Sequence, residues 1–517
     1  MAAEKIHLNW QPLGDSALIT ESDHPAAFAQ QLRENCPTFC HDAVSSYRHL
    51  AIYFAPADFS EIERWLTNFS FTKKSTEPRL HHLPVWYDPE WIAELSAQLK
   101  KTPEEIIELH SSTEFTVAAL GFSPGFPYLT GLPPELQLPR KETPARLPAG
   151  TVSIAADQAG IYPNDSFGGW HPLGLTGASL FNPHENPHTL LEPGDRIRFE
   201  PLENPPAITL EDSAEPIGHE IAIVESSGPA TSIQSSSRLG HRHLGITPGG
   251  SSDSEMRAAL NLLLGNPPEA PILEFALEAP ILRFLAPTKI AFLGPHHPQA
   301  GRIVEVKKGT LLDLKNHPMQ SAFGSLAISG GFAVPEILGS TSTDLRGNFG
   351  GQVLEKNSPL FHHLESAEAS QPSHIRWPLL SSDTLTIRTL PGEQASWFSN
   401  DLTESSFRKS ARFDRTAARL SGTPLSQTIT KELTSRPVLA GAIQVPPDGI
   451  PTVLLPECQT IGGYPVIAHV ITADLPALAR AKPGTQIHFQ TVTLPEAHRA
   501  FEIAQRELAI FRTGLNL

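Results

Sequence analysis

Three cysteines in 517 residues, Cys36, Cys40 and Cys458, are too few for a disulfide framework or a four-cysteine zinc site. Cys36 and Cys40 stand one helical turn apart in sequence, and all three read as free reduced thiols. No apolar run reaches membrane-spanning length, so no transmembrane segment is expected. The start, "MAAEKIHLNW", has no basic region followed by an apolar run; no signal peptide is indicated, and a cytoplasmic location is expected. Positive charge is also short: 39 Lys and Arg against 55 Asp and Glu leave a net charge of -16. That balance argues against a nucleic-acid surface, although a small anion could still use a local basic pocket. No P-loop, dinucleotide fingerprint, H-E-x-x-H helix or G-x-S-x-G elbow occurs. The histidine pairs 81–82, 296–297 and 362–363 have no third ligand at a regular spacing, so no metal site is expected.

Proline and glycine are plentiful instead, at 49 and 36, and spread along the chain. They favour many short strands and turns, and the length calls for two to four domains. Residues 1–80 read as a small α+β unit and 81–202 as short β-runs. The Pro-rich, acidic stretch 203–217 reads as a linker, and 218–517 as a second strand-rich region. "TPEEIIELH" predicts a helix with Thr102 and Glu105 in a capping box, which leaves His110 as a neutral surface group at its end. "DSEMRAALNLLLGN" predicts another, with Ser252 and Glu255 as its capping box and Gly265 as its stop. Residues near 364–374 and 394–410 are polar and read as surface loops, as does the segment bearing His241 and His243. "PEAHRAFEIAQRELAIF" predicts an amphipathic C-terminal helix packed on its own domain.

The chain also echoes itself. "AGTVSI" at 149–154 matches "AGAIQV" at 440–445, and "PGDRIRF" at 193–199 matches "PGTQIHF" at 483–489. Between them lie "QAGIYP" from Gln158 and "QTIGGYP" from Gln459. Two related β-domains are the expectation.

"GFSPGFPYLTGL", "LPRKETPARLPAGTVSIAADQAGIYPNDSFGGWHPLG" and "PGDRIRFEPL" resemble the family of 5-oxoprolinase B-type subunits, also called KipI or allophanate hydrolase subunit 1. "ILEFALEAPILRF", "SGGFAVPEILGSTSTDLRGNFGG" and "QTIGGYPVIAHVITADL" resemble the C-type subunits, the KipA or allophanate hydrolase subunit 2 family. The resemblance covers nearly the whole chain, as a B–C fusion. It implies a mainly β fold with two cyclophilin-like β-barrel domains behind a small α+β subdomain. It also implies a role in the ATP-dependent opening of 5-oxoproline to glutamate, with a separate A-type subunit of 5-oxoprolinase as partner and Mg2+ carried on the nucleotide. A homo-oligomer is compatible with it. Two alternatives come with the family: a biotin-dependent carboxyltransferase of the urea carboxylase type, and a regulator of a sensor histidine kinase. No biotin attachment motif is present in the chain.

Opening a lactam calls for cations at carboxylate or phosphate, polar groups at the amide and restricted water. Arg140, Arg146, Arg238 and Arg346 are the candidate anion-binding groups. Gln158 and Gln459 could pair with an amide, since each offers a donor and an acceptor. Asp253 is a candidate base that could equally cap its helix. Gly125, Gly462 and Gly463 would allow close approach, Phe126, Tyr128, Tyr162 and Tyr464 would form walls, and Gln234 lies beside Arg238 in the motif. Against the family pattern, Ser235 and Thr341 stand where C-type subunits have an Asp and an Arg. Glu457–Cys458 replaces Asp-Arg, and Ile461 replaces a Thr.

Overall fold

The computed structural model describes residues 8–72, 78–207, 217–351, 353–363, 374–375, 383–399, 402–429, 431 and 433–515. Most of the expected linker (208–216) and of the polar stretch 364–374 lies outside the described residues.

The N-terminal subdomain is a four-stranded antiparallel sheet in the order Gln11–Pro12, Ala17–Glu21, His49–Phe54, Cys40–Ser46. Helices Pro25–Glu34 and Phe59–Asn68 place Phe28, Leu32, Ile62 and Leu66 on one face of it, where they meet Leu18, Leu50 and Phe54. Helical spacing puts those residues on one stripe. The expected free thiols are corrected here. Cys36 and Cys40 form a disulfide with Cα atoms 5.8 Å apart, because the helix stops at Glu34 and the chain turns back to start a strand at Cys40. Cys458 is free and buried.

Two closed seven-strand barrels follow. The first runs Gln158–Ile161, Pro127–Thr130, Phe115–Leu120, Arg196–Pro201, Leu80–Tyr87, His171–Leu175, Thr151–Ala155. The second runs Thr452–Leu454, Ala417–Gly422, Phe407–Phe413, Gln486–Thr491, Thr384–Pro391, Val466–Val470, Ala442–Gln444, which is the same order strand for strand. Each contains one parallel pair, with Leu80 opposite Arg196 and Thr384 opposite Gln486. Bulges between Val117 and Ala119 and between Pro172 and Gly174 help the first sheet curl shut. Gly174 has to be glycine, since a Cβ there would lie 2.3 Å from the Trp86 carbonyl oxygen. These are the two cyclophilin-like barrels that the family resemblance implied.

The echo needs one correction. "AGTVSI" and "AGAIQV" do occupy equivalent strands, as do "PGDRIRF" and "PGTQIHF". Gln158, however, begins a barrel strand, while Gln459 precedes the Ile461–Gly462 bridge to Arg436–Pro437. The equivalent of that bridge in the first barrel is Ser166–Gly168 paired with Ala145–Leu147. "GGYP" therefore corresponds to "GGWHP", and Tyr464 to Trp170. Shared Gln and Tyr-Pro letters matched the wrong strands because two short Gly-rich segments follow each other there.

Between the linker and the second barrel, residues 219–362 form a four-stranded and a five-stranded sheet around their own core, so the strand-rich region 218–517 holds two bodies. Helix Ser254–Leu263 packs beside the five-stranded sheet. Its N-cap is Asp253, which accepts the Met256 amide at 2.9 Å; Ser252, expected in that role, bonds Glu274 instead. The capping box at Thr102 is present, but His110 is buried rather than on the surface. It stacks on Phe199, its Nδ1 lies 2.8 Å from the Tyr87 hydroxyl, and burial pulls its imidazole down to about 3, so it is neutral. Among the described residues no helix is long and apolar enough to cross a membrane.

Candidate functional site at the junction of the halves

The loop 121–128 leaves the first barrel and docks on the second half. Gly125 donates its amide to the Leu244 carbonyl at 2.8 Å with φ +76°, a backbone that suits glycine. Phe126 is enclosed by Phe122, Tyr128, Tyr162 and Trp170, with ring centroids 5.0–5.7 Å away. It is a buried anchor and offers no open face to a ligand. Tyr128 and Tyr162 belong to the same cluster, and burial pushes the Tyr128 phenol up to about 12. Leu439 and Ile461 of the second half complete the cluster together with Leu13, Val44 and Tyr53 of the N-terminal sheet. The halves thus share one core.

The four arginines part company. Arg346 Nη1 donates to the Phe122 carbonyl at 2.7 Å and its guanidinium lies over the Phe122 ring, which ties the 344–349 loop to the first barrel. Arg238 is fully buried. Its Nε and Nη2 hold the carbonyls of Ile337, Ser340 and Ser342, and its charge lies 4.8 Å from the Phe349 ring, so it braces a loop. Burial pulls its guanidinium below the usual range. Arg146 is exposed and pairs with Asp165. Arg140 is exposed, and its positive charge opposes the upward shift of the Tyr47, Tyr128 and Tyr162 phenols.

Gln234 is buried; its Nε2 donates to Ser232 Oγ and the Thr343 carbonyl, and its Oε1 has no partner among the described residues. Gln158 Oε1 and Gln444 Nε2 are buried without partners among the described residues, and Gln459 Nε2 reaches Gln444 Oε1 at 3.4 Å. A buried amide atom without a partner is a place for a ligand hydrogen bond. Gly462 lies against both Gln444 and Gln459, Gly463 against Ser435, and Tyr464 is exposed. Asp253 is buried beside Arg480 at 3.1 Å, and burial still lifts its carboxyl to about 7. It serves its helix and an ion pair rather than an open site. Two grooves, of about 670 Å³ and 270 Å³, lie away from all these residues, against the helix Phe59–Asn68.

Long-range pairs that no sequence motif joins hold the junction. Asp42 binds the His243 amide at 3.0 Å and its Nδ1 at 3.1 Å, so that histidine is fixed rather than in a mobile loop. Asp15 accepts from Thr472 N and Oγ1, and Tyr53 donates to the Val438 carbonyl. Buried Glu274 pairs with Arg415, which also pairs with Glu457 at 3.0 Å.

Family models for the carboxyltransferase domain match both halves, subdomains C and D at 8–191 and subdomains A and B at 244–491. The chain is similar to the C-type subunit of 5-oxoprolinase from Escherichia coli, at 33% identity over 54% of this chain and 94% of that protein. It is similar to the B-type subunit of 5-oxoprolinase from Bacillus subtilis, at 43% over 37% of this chain and 90% of that one. The crystal structure of TTHA0988 matches with a TM-score of 0.78 and 31% identity, over 92% of this chain and 99% of that one. The chain belongs to the family of 5-oxoprolinase B-type and C-type subunits. It carries both in one polypeptide.

Within the C-type half, the departures are accommodated. Thr341 Oγ1 donates to Ser235 Oγ at 2.8 Å, so an expected Asp and Arg are replaced by two hydroxyls that bond each other. Ile461 fills the space above Gly121, where a Cβ would stand 2.3 Å from Ile461 Cγ1. Gly121→Ala should therefore lower stability by about 1–3 kcal/mol through overpacking, read as a fall in melting temperature. Ile461→Ala should restore part of it, and a Gly121→Ala protein melting like wild type would refute this fit.

Proposed function

We propose that the chain is the B–C component of an ATP-dependent 5-oxoprolinase, opening 5-oxoproline to glutamate together with a separate A-type subunit. The observation that supports it most is that 94% of a C-type subunit and 90% of a B-type subunit are matched by two halves which share a buried core. A complex of separate polypeptides would need that interface, and the fusion has it built in. The reacting site is proposed at the junction of the two barrels. There the loop 121–128 is preorganised by its prolines and its buried rings, and water is excluded from the shared core. Arg140 offers a cation for the substrate carboxylate, and the open amide atoms of Gln158 and Gln444 offer an acceptor and a donor for the lactam.

A triphosphate needs several free cationic donors, and here Arg146 pairs with Asp165, Arg346 donates to Phe122, and Arg238 gives Nε and Nη2 to carbonyls, which leaves only its buried Nη1 without a partner among the described residues. These residues do not fit an ATP phosphate site, and the nucleotide is assigned to the assembled complex. Incubating the chain with the A-type subunit of the same organism, ATP and 5-oxoproline should release glutamate with ADP. No turnover with that partner would refute the reading. The carboxyltransferase description of both family models supports a second reading, transfer of CO2 from carboxybiotin to an amide such as urea. Urea-dependent discharge of a carboxybiotin carrier would favour it.

A further inference from the structure

The turn 35–39 carries the chain from helix Pro25–Glu34 into strand Cys40–Ser46, and the Cys36–Cys40 disulfide closes it. The turn does not depend on that bond. Cys36 donates its amide to the Arg33 carbonyl at 3.3 Å and Cys40 to the Pro37 carbonyl at 2.9 Å, and Arg33 Nη1 ties the helix end to the Ala43 carbonyl at 2.9 Å. The two sulfurs would therefore stay within reach of each other when reduced, which is the condition for a bond that opens and recloses. Access is one-sided. Cys36 is half-buried next to exposed Asn35, whereas Cys40 is buried in the cluster with Phe28 and Phe54.

The strand that begins at Cys40 carries contacts to the second half. Asp42 accepts the His243 amide at 3.0 Å and its Nδ1 at 3.1 Å, and Ser46 donates to the Ser435 carbonyl. Between Cys40 and Asp42 the ladder shifts register, with Cys40 opposite Phe54 and Asp42 opposite Tyr53, so His41 is bulged. Such a bulge aims the side chain beside it. The disulfide fixes one side of this bulge, and the carboxylate that holds the second half stands on the other.

We propose that Cys36–Cys40 is a site of reversible exchange with a dithiol, and that its state sets how firmly Asp42 holds His243. This is independent of which reaction the junction serves. One thiolate of the dithiol attacks Cys36 Sγ and forms a mixed disulfide, while the bond to Cys40 breaks and its sulfur leaves as a thiolate that takes up a proton. The second thiolate of the dithiol then displaces Cys36, which is protonated in turn. The dithiol is oxidised to a cyclic disulfide by two electrons, and the protein pair is reduced by the same two.

Hydrogen exchange of the full chain, read by mass spectrometry before and after dithiothreitol, tests it. Thiol titration of the unfolded chain should count Cys458 alone before treatment, and Cys36 and Cys40 as well after it. Residues 241–245 should exchange about tenfold faster or more in the reduced protein, as expected for local opening, with strand Gln486–Thr491 unchanged. Glutathione disulfide should restore the slow exchange. Cys36→Ser should exchange like the reduced protein, with or without dithiothreitol. Asp42→Asn should be fast at 241–245 already and gain little from reduction. Equal exchange at 241–245 in the two states, or a bond that dithiothreitol does not open in the folded chain, overturns the proposal. So does acceleration that extends equally to 486–491, or that is as large in Asp42→Asn as in wild type.

Discussion

Replacing Arg415 by methionine should destabilise the protein by about 3–5 kcal/mol, the range for breaking a buried ion pair by removing one partner. Arg415 lies on the second barrel, and every arm of its guanidinium is used. Nε pairs with Glu457 at 3.0 Å, Nη1 meets Glu274 and Ser252, and Nη2 meets the Gly250 carbonyl. Glu274 sits in the middle of strand Ile272–Ala276, and Glu457 takes the Leu345 amide at 2.8 Å. The cation therefore joins the sheet pair, the 344–349 loop and the barrel. Methionine would fill the space but leave two carboxylates buried with no counter-charge. Burial already holds the Glu457 carboxyl above its ordinary range, and without Arg415 it would ionise only at higher pH. Raised folded-state values mean stability that is present at low pH and lost as pH rises. Thermal melts should thus show Arg415→Met closer to wild type at pH 5 than at pH 8. Adding Glu274→Gln and Glu457→Gln should recover much of the loss. An Arg415→Met protein that melts within a degree of wild type at pH 8 would refute this account.

That cation also shows where sequence reasoning stopped. Two related β-domains were legible, because Gly-Pro punctuation and a repeated "PG…I.F" strand point to them; that they close into barrels came only with the family resemblance. Capping at Thr102 was legible because its chemistry is local. The site was much less so. Arg238 and Phe126 look like binding residues in one dimension, and only the three-dimensional packing shows that carbonyls and rings already occupy them. Glu274, between "PIL" and "FAL", is an acid in an apolar run that needs a partner, but nothing in the sequence points 141 residues on to Arg415. Asp42 with His243 and Asp15 with Thr472 are likewise long-range pairs without a motif.

A second large effect is expected at Lys409, and there the substitution should help. The side chain is buried between Phe323 and Phe413, and Nζ donates to the carbonyls of Leu478 and Ala479 at 3.1 and 3.2 Å, where the helix Leu475–Arg480 ends. The carbonyl end of a helix favours a cation, yet burial wins and draws the amine down to about 7 from 10.5. The unfolded chain then holds the proton more tightly than the folded one between those values. Stability should rise with pH across that window, by about 5 kcal/mol at roughly 1.4 kcal/mol per unit of pKa difference. Asp253 acts in the opposite sense. Its carboxyl, raised from 3.8 to about 7, contributes stability that is full below pH 4 and is lost as pH rises through 7. The two contributions together are weakest near neutrality. Lys409→Met keeps most of the buried stem and removes the amine, so urea midpoints should equal or exceed wild type at pH 7, and that advantage should shrink or reverse by pH 9.5. Asp253→Asn should flatten only the acid side. Wild-type and Lys409→Met midpoints that run parallel from pH 7 to 9.5 would show that the amine does not lose its proton in this window.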